Sequence, residues 1–290
     1  IKNGTDTVKL KKTTGIYARD NVIYVADSGN QCVWCINNQG DVIAKITKPD
    51  SEYFSDTTEF LPRKITGDSV GNLYVQCTGI YEGLVIFSAE YEFKGFFAGE
   101  RVETTSQILQ SYFWKQFMTK EQKDAMSNYV PTEILNMDMS RDNFLYTVTP
   151  GRIISGKGYK GTADSIRCLN PKGTDIIESS MPSKVLSSFE SDSRYLNYVD
   201  IVYGSGGFIS VIDNRRGRIC QFDENMRLVT AFGGIGSYVG TFSSPCAIEE
   251  INGQIYYPNN EDTLKIYEQE NIAIVDRHPT KTSKVMRRVY

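Results

Sequence analysis

An all-β fold made of repeated four-stranded antiparallel sheets is predicted by three observations. A short apolar segment returns five times, as IYVAD (23–27), LYVQC (73–77), LYTVT (145–149), ISVID (209–213) and IYYPN (255–259). A second apolar segment follows each copy: VWCI (33–36), LVIF (84–87), IRCL (166–169), ICQF (219–222) and LKIY (264–267). Around them lie short turns rich in Gly and Asn, such as GDSVGN (67–72), NNQG (37–40), NPKG (170–173) and INGQ (251–254), which suit hairpins.

Each unit is completed by a β-like run before the pair, for instance 63–66 or 246–248, and by another after it, such as 41–46. Four runs joined by short turns make an antiparallel meander. Matching positions lie 50 residues apart at Tyr24 and Tyr74, and 46 apart at Ser210 and Tyr256. Meanders repeating every ~40–50 residues are the blades of a β-propeller, because one sheet alone leaves apolar faces bare that its neighbours cover. Six blades are expected, of which five are visible. The sixth would be assembled from both termini, where 7–10, 272–275 and 285–290 are β-like. Pairing strands from the two ends removes exposed sheet edges, so 1–290 reads as a single propeller domain.

Bulk properties agree with this class. The 290-residue chain is 40% hydrophobic and carries a formal net charge of −3, which excludes a disordered chain and gives no electrostatic footprint for nucleic acid. Fourteen Phe, eighteen Tyr and two Trp suit strands. No run approaches the ~20 apolar residues of a membrane-spanning helix. The chain opens at Ile1 without a secretion signal, so it is expected to be a mature exported form or part of a longer polypeptide.

Cys32 and Cys35 stand three apart, a spacing that elsewhere marks a metal clip or a redox pair. On a strand, residues three apart point to opposite faces, so the two thiols cannot hold one metal or join in a disulfide. Cys35 shares its repeat position with Ile86, Cys168 and Ile266, which predicts packing between blades.

The stretch GIYARDNVIYVADSGNQCVWCINNQGDV (15–42) resembles an NHL repeat, and GRICQFDENMRLVTAFGG (217–234) resembles its second half. Asp27 and Asp213 stand where the repeat places its Asp, whereas Gln76, Cys77, Thr149 and Asn259 depart from it. FLPRKITGDSVGNLYVQCTGIYEGLVIF (60–87) and GTFSSPCAIEEINGQIYY (240–257) are similar to NHL-type modules of bacterial surface proteins. The resemblance spans about residues 13–268. It implies a propeller used for binding, in an extracytoplasmic or cell-surface setting, and no reaction.

Function on a repeat scaffold is usually carried by insertions. With strands a to d in each blade, the b–c loop and the link to the next blade leave at one end, and the a–b and c–d turns at the other. All long departures fall at the first end: 100–131, 150–164, 179–194 and the turn NRRGR (214–218). Within 100–131, SQILQSYFWKQFM (106–118) has a helical stripe of Ile108, Leu109, Tyr112, Phe113 and Phe117, and Thr119 with Gln122 makes a capping box. A short helical insertion is therefore expected at about 105–130, offering Tyr112 and Trp114 to a ligand. PGRIISGKGYKGTAD (150–164) reads as a mobile, basic loop bearing Arg152, Lys157, Tyr159 and Lys160. It lacks the GxxxxGK[ST] phosphate-loop pattern. Arg215 and Arg216 add charge at the same end, with Arg218 beside them.

Nucleophilic triads and histidine-rich zinc sites are excluded by the presence of one histidine, His278. Calcium needs only oxygen ligands, so an alternative is a calcium-dependent lactonase- or lyase-like propeller with Asp138, Asp200 and Glu249 around its axis. The main expectation is a recognition module for a protein or glycan, without a cofactor, a nucleic-acid partner or a catalytic residue.

Overall fold

The computed structural model describes residues 1–80, 82–97, 134–149, 152–156, 159–163, 166–177, 197–236, 238, 240–242, 245–259 and 263–268. The chain divides into two compact units, Ile1–Glu133 and Ile134–Tyr290. Every regular element among the described residues is a strand.

The first unit opens with a small hairpin, β1 (Lys2–Asn3) and β2 (Asp6–Thr7). Its first sheet is β3 (Thr13–Arg19), β4 (Val22–Asp27), β5 (Cys32–Asn37) and β6 (Val42–Ile46), and its second is β7 (Leu61–Gly67), β8 (Leu73–Thr78), β9 (Leu84–Phe87) and β10 (Phe93–Phe97). Both are antiparallel meanders in chain order. The β-like run expected at 7–10 contributes only Thr7, and β1 lies along the outer edge of the first sheet through Lys2 and Asp41.

In the second unit β11 (Asn136–Met139), β12 (Leu145–Val148) and β15 (Ile166–Leu169) form a three-stranded sheet. Between β12 and β15 the structure corrects one expectation. The stretch 150–164 contains an antiparallel hairpin, β13 (Arg152–Gly156) and β14 (Tyr159–Ala163), that pairs Arg152 with Ala163 and Ser155 with Lys160. The five Gly and Pro residues obscured its alternating Ile-Ile/Tyr-Lys-Gly-Thr strands, because glycine reads as loop unless its partner strand is known. A four-stranded meander follows, β16 (Tyr198–Tyr203), β17 (Ile209–Asp213), β18 (Arg218–Phe222) and β19 (Leu228–Gly233), then β20 (Glu249–Ile251), β21 (Gln254–Asn259) and β22 (Thr263–Glu268). The run expected at 246–248 thus begins three residues late, at Glu249.

The repeat is visible in the hydrogen-bond register as well as in the letters. The first strand of each four-stranded sheet carries a bulge one residue beyond the pairing of Thr13 with Asp27, Pro62 with Cys77, and Tyr198 with Asp213. Residues at those three partners are equivalent in the sequence repeat.

Burial explains why the middle strands read as near-continuous apolar runs. The first five residues of β5 and all of β17 are buried, whereas the outer strands β6 and β19 contain alternating exposed positions. β5 and β17 are covered on both faces, which removes the usual alternation. In the first unit Tyr24, Ala26, Val33 and Cys35 pack against Leu73, Val75, Cys77 and Phe87 of the next sheet. The opposite face, Val25, Cys32, Trp34 and Ile36, is packed by Ile1 and Val8. Cys32 and Cys35 therefore lie in different clusters, both free thiols, and burial pushes Cys35 up to about 12 and Cys32 to about 11. In the second unit Tyr146, Val148, Ile166 and Cys168 meet Ile209, Val211, Cys220 and Phe222. The other face of that fourth-repeat sheet, Val202, Ile212 and Ile219, meets Phe242, Ile248 and Ile255.

The c–d turns share one device. Side-chain oxygens of Asn37, Ser88, Asn170 and Asp223 accept the backbone N–H groups two and four residues onward, at 2.8 to 3.3 Å. The intervening residue then takes a left-handed conformation: Gly40 and Gly173 in two turns, Tyr91 and Met226 in the others. Local side-chain capping of this kind competes with ladder pairing and fixes where each hairpin reverses.

Candidate functional site

The b–c end of each sheet is organised from its second strand. Asp27, the last residue of β4, is fully buried. It accepts hydrogen bonds from Lys11 N–H at 3.2 Å, Lys12 N–H at 3.1 Å, Asn30 N–H at 3.2 Å, the Asn30 amide at 2.7 Å and the Trp34 indole at 3.3 Å. Burial opposes its charge, but the hydrogen bonds from Lys12, Asn30 and Lys11 prevail and hold the carboxyl below its ordinary value. Asp213 does the same work in the fourth repeat, accepting Asn197 N–H at 3.2 Å and the Arg216 guanidinium at 2.9 Å. The Asp of the repeat therefore ties the b–c turn to the chain leading into strand a. Arg216, expected at a ligand, is engaged in that tie; its ion pair with Asp213 is largely buried.

Asp138, Asp200 and Glu249 sit on the first strands of three consecutive sheets, β11, β16 and β20. Asp138 Oδ2 accepts Tyr203 N–H at 2.8 Å, and its Oδ1 accepts Met139 N–H at 2.8 Å. Asp200 Oδ1 accepts Ile201 N–H at 2.8 Å and the Asn136 amide, while its Oδ2 accepts Ile248 N–H at 2.7 Å. Both carboxylates thus clasp one sheet to the backbone of the next. Glu249 Oε1 accepts Glu250 N–H at 3.1 Å. Among the described residues, no group of three or more His, Cys, Asp or Glu is arranged to hold a metal ion.

Asp138 nevertheless feels the other two acids. Burial pushes the Asp138 carboxyl up to about 7; the Tyr203 hydrogen bond opposes this, and the charges of Glu249 and Asp200 add to it. Glu249 keeps solvent contact, yet the protein packed around it also raises its carboxyl. A folded-state value above the ordinary 3.8 means that the folded protein holds a proton the unfolded chain would release. The stability from this group is fully present below about pH 4 and is lost as pH rises through 7. Asp138→Asn keeps an oxygen for Tyr203 N–H and removes the charge. The variant is expected to melt like the parent at pH 4 and to be more stable by roughly 1–3 kcal/mol at pH 8. Paired thermal melts at the two pH values check this, and equal midpoints at pH 8 would refute it.

Within the second unit the antiparallel order sends the b–c connections and the link out of β19 to the same end of their sheets. There the β13–β14 hairpin carries Arg152, Tyr159 and Lys160 on its backbone. Lys157, Tyr112 and Trp114 lie outside the described residues, as do the whole of 100–131 with its expected helix and the insertion at 179–194. Arg215 is exposed on the turn between β17 and β18. The sequence reasoning missed the segment 234–242, in which Ile235 is 58% and Tyr238 82% exposed. Its signal was present as an aromatic residue within a glycine-rich turn, GGIGSYVG, but the glycines pointed only to a loop. The turn touches Ile235, since a Cβ at Gly217 would meet Ile235 Cδ1 at 2.7 Å, and Asn214 Nδ2 donates to Pro245 O at 2.7 Å.

No family model and no curated protein matches the chain. Solved structures do match. The Cps50 (Swd1) β-propeller domain of Myceliophteria thermophila aligns with a TM-score of 0.53 at 9% identity, over 96% of this chain and 71% of that one. The extracellular domain of the hybrid two component system BT3049 from B. thetaiotaomicron gives 0.52 at 12% identity, over 92% of this chain and 30% of that one. Virginiamycin B lyase from Staphylococcus aureus gives 0.49 at 10% identity, over 91% and 86%. At such identities likeness speaks to fold alone. The chain is a β-propeller of antiparallel sheets.

Proposed function

We propose that this propeller is a non-catalytic recognition module of the NHL type, part of a longer bacterial cell-surface protein. Its ligand is a protein or a glycan, held at the sheet end that carries the b–c connections and long insertions. The observation that carries the reading is the unequal use of the two ends. The c–d turns are tight and capped by their own side chains, whereas the third repeat extends its b–c connection into a separate hairpin of two five-residue strands, Arg152–Gly156 with Tyr159–Ala163. Extra ordered structure beyond what closes a sheet is where a repeat fold gains binding surface.

The alternative of a calcium-dependent lactonase or lyase draws on the influence of Asp200 and Glu249 on Asp138. It is disfavoured because Asp138 and Asp200 already direct both carboxylate oxygens at N–H donors between sheets. Replacing 150–164 with a two-residue Asn-Gly turn tests the preferred reading. Capture from a panel of displayed peptides and surface polysaccharides is expected to fall at least tenfold, with an unchanged melting midpoint. Undiminished capture, or lactone turnover that needs calcium, would overturn it.

A further inference from the structure

The first unit holds a cavity of about 520 Å³ where the chain leaves β6, a size typical of small-molecule clefts. Lys45, Lys48, Asp50 and Ser51 line it from the end of β6 and the link that follows. Tyr91 and Phe93 line it from the turn into β10 and the first residue of that strand.

Both contributors are held in place. Lys48 Nζ donates to Ser55 O at 3.1 Å and to Asp56 O at 3.4 Å, and Phe54 N–H donates to Ser51 O at 2.9 Å, so the link folds back on itself. Phe54 is buried with its ring 5.4 Å from Phe93 and 5.7 Å from Phe96, which joins the link to the aromatic wall. Tyr91 N–H donates to Ser88 O at 2.9 Å, and its ring meets Tyr24 edge-on at 6.3 Å. Beside this wall Tyr53 is 60% exposed, its ring 6.3 Å from Phe93 and 5.7 Å from Phe96.

The charged groups of the lining are not matched to one another. Lys45 Nζ lies 5.0 Å over the Trp34 ring, and among the described residues it meets no carboxylate. Lys48 donates to neutral carbonyls. Asp50 is exposed, and among the described residues its carboxylate accepts no hydrogen bond. A hydroxyl both donates and accepts, so a ligand dense in hydroxyls satisfies the lysines and the carboxylate together. A pyranose ring adds a C–H face that covers aromatic rings. An anion fits less well: the stretches 45–56 and 88–94 hold five acids (Asp50, Glu52, Asp56, Glu90 and Glu92) and three lysines (Lys45, Lys48 and Lys94), a formal charge of −2.

We propose that this cavity binds a neutral sugar unit of a glycan, with ring hydroxyls between Lys45 and Asp50, the C–H face on the aromatic wall, and the next unit over Tyr53. The site goes beyond the recognition reading, since it uses residues of the first unit alone and none of the long insertions.

The test titrates the intact chain by calorimetry with cellohexaose, maltohexaose, mannohexaose and xylohexaose, and with hexagalacturonate as the acidic counterpart. At least one neutral hexasaccharide is expected to bind. Asp50→Ala and Lys45→Met, both at exposed positions, should each weaken it by about tenfold while the melting midpoint stays at the parent value. No binding of any neutral hexasaccharide would overturn the proposal outright. Tighter binding of hexagalacturonate than of every neutral sugar would overturn the neutral assignment. Binding that ignores both substitutions but is lost on replacing 150–164 would overturn the cavity and leave the recognition reading standing. Binding that ignores all three changes would overturn the cavity as well.

Discussion

Asp27→Ala is expected to destabilise the protein by about 3 kcal/mol, because it strands one buried and several half-buried donors at once. The methyl group accepts nothing from Lys11 N–H, Lys12 N–H, Asn30 N–H or the Trp34 indole, all of which now meet one carboxylate. For a chain of this size the thermal midpoint should drop by roughly 6–12 °C. Asp27→Asn should fall between, since an amide oxygen still accepts one or two of these hydrogens. The charge matters too. Hydrogen bonding holds this carboxyl below its ordinary value of 3.8, so its stabilisation is present above that pH and disappears as pH falls through the lower folded-state value. The midpoint gap between parent and Asp27→Asn should accordingly narrow in acid. A gap that stays constant down to pH 3 would show that the charge contributes nothing.

Gly233→Ala is the second large effect, again about 3 kcal/mol, from two sources. Gly233 has φ +94°, a conformation that L side chains rarely adopt, and a Cβ there would lie 2.1 Å from Phe242 Cε2 and 2.7 Å from Gly217 O. Neither neighbour yields easily, since one is a fully buried ring and the other is backbone. The substitution should therefore lower the midpoint and also speed amide exchange at Phe242 and Gly236, whose N–H groups donate to Gly234 O and Phe242 O. Trimming the ring in the double variant Gly233→Ala with Phe242→Leu relieves the collision and not the backbone strain. About half of the lost stability should return. Full recovery would assign the whole effect to the collision; no recovery would assign it to φ.

Much of the scaffold was legible beforehand for a simple reason. Middle strands such as β5 and β17 are buried on both faces, so they announce themselves as short apolar runs such as VWCI and ISVID, and the turn residues between them are chosen locally. The placement of Cys32 and Cys35 on opposite faces followed from strand periodicity alone, and the two separate clusters agree with it. Boundaries were weaker. β20 begins at Glu249 because pairing with Tyr256, and not apolar content, defines it.

The candidate site was legible only in outline. Antiparallel parity placed 150–164 and 214–218 at one end, but glycine content concealed the β13–β14 hairpin. Charge alone made Arg216 a candidate, whereas its contact with Asp213 makes it part of the b–c turn. Asp138 and Asp200 could be placed on first strands from the repeat, yet their partners, Tyr203 and Ile248, are 65 and 48 residues away. Tyr238 gave no periodic signal at all.

Sequence by itself determined the apolar second and third strands of the repeats and the tight turns beside them, because period-two alternation and side-chain-capped turns act within a few neighbouring residues. Tertiary structure alone decided which carboxylates clasp adjoining sheets and which aromatic stands in solvent. Those outcomes depend on atoms brought together from distant repeats, where hydrogen-bond geometry and burial act without leaving a pattern along the chain.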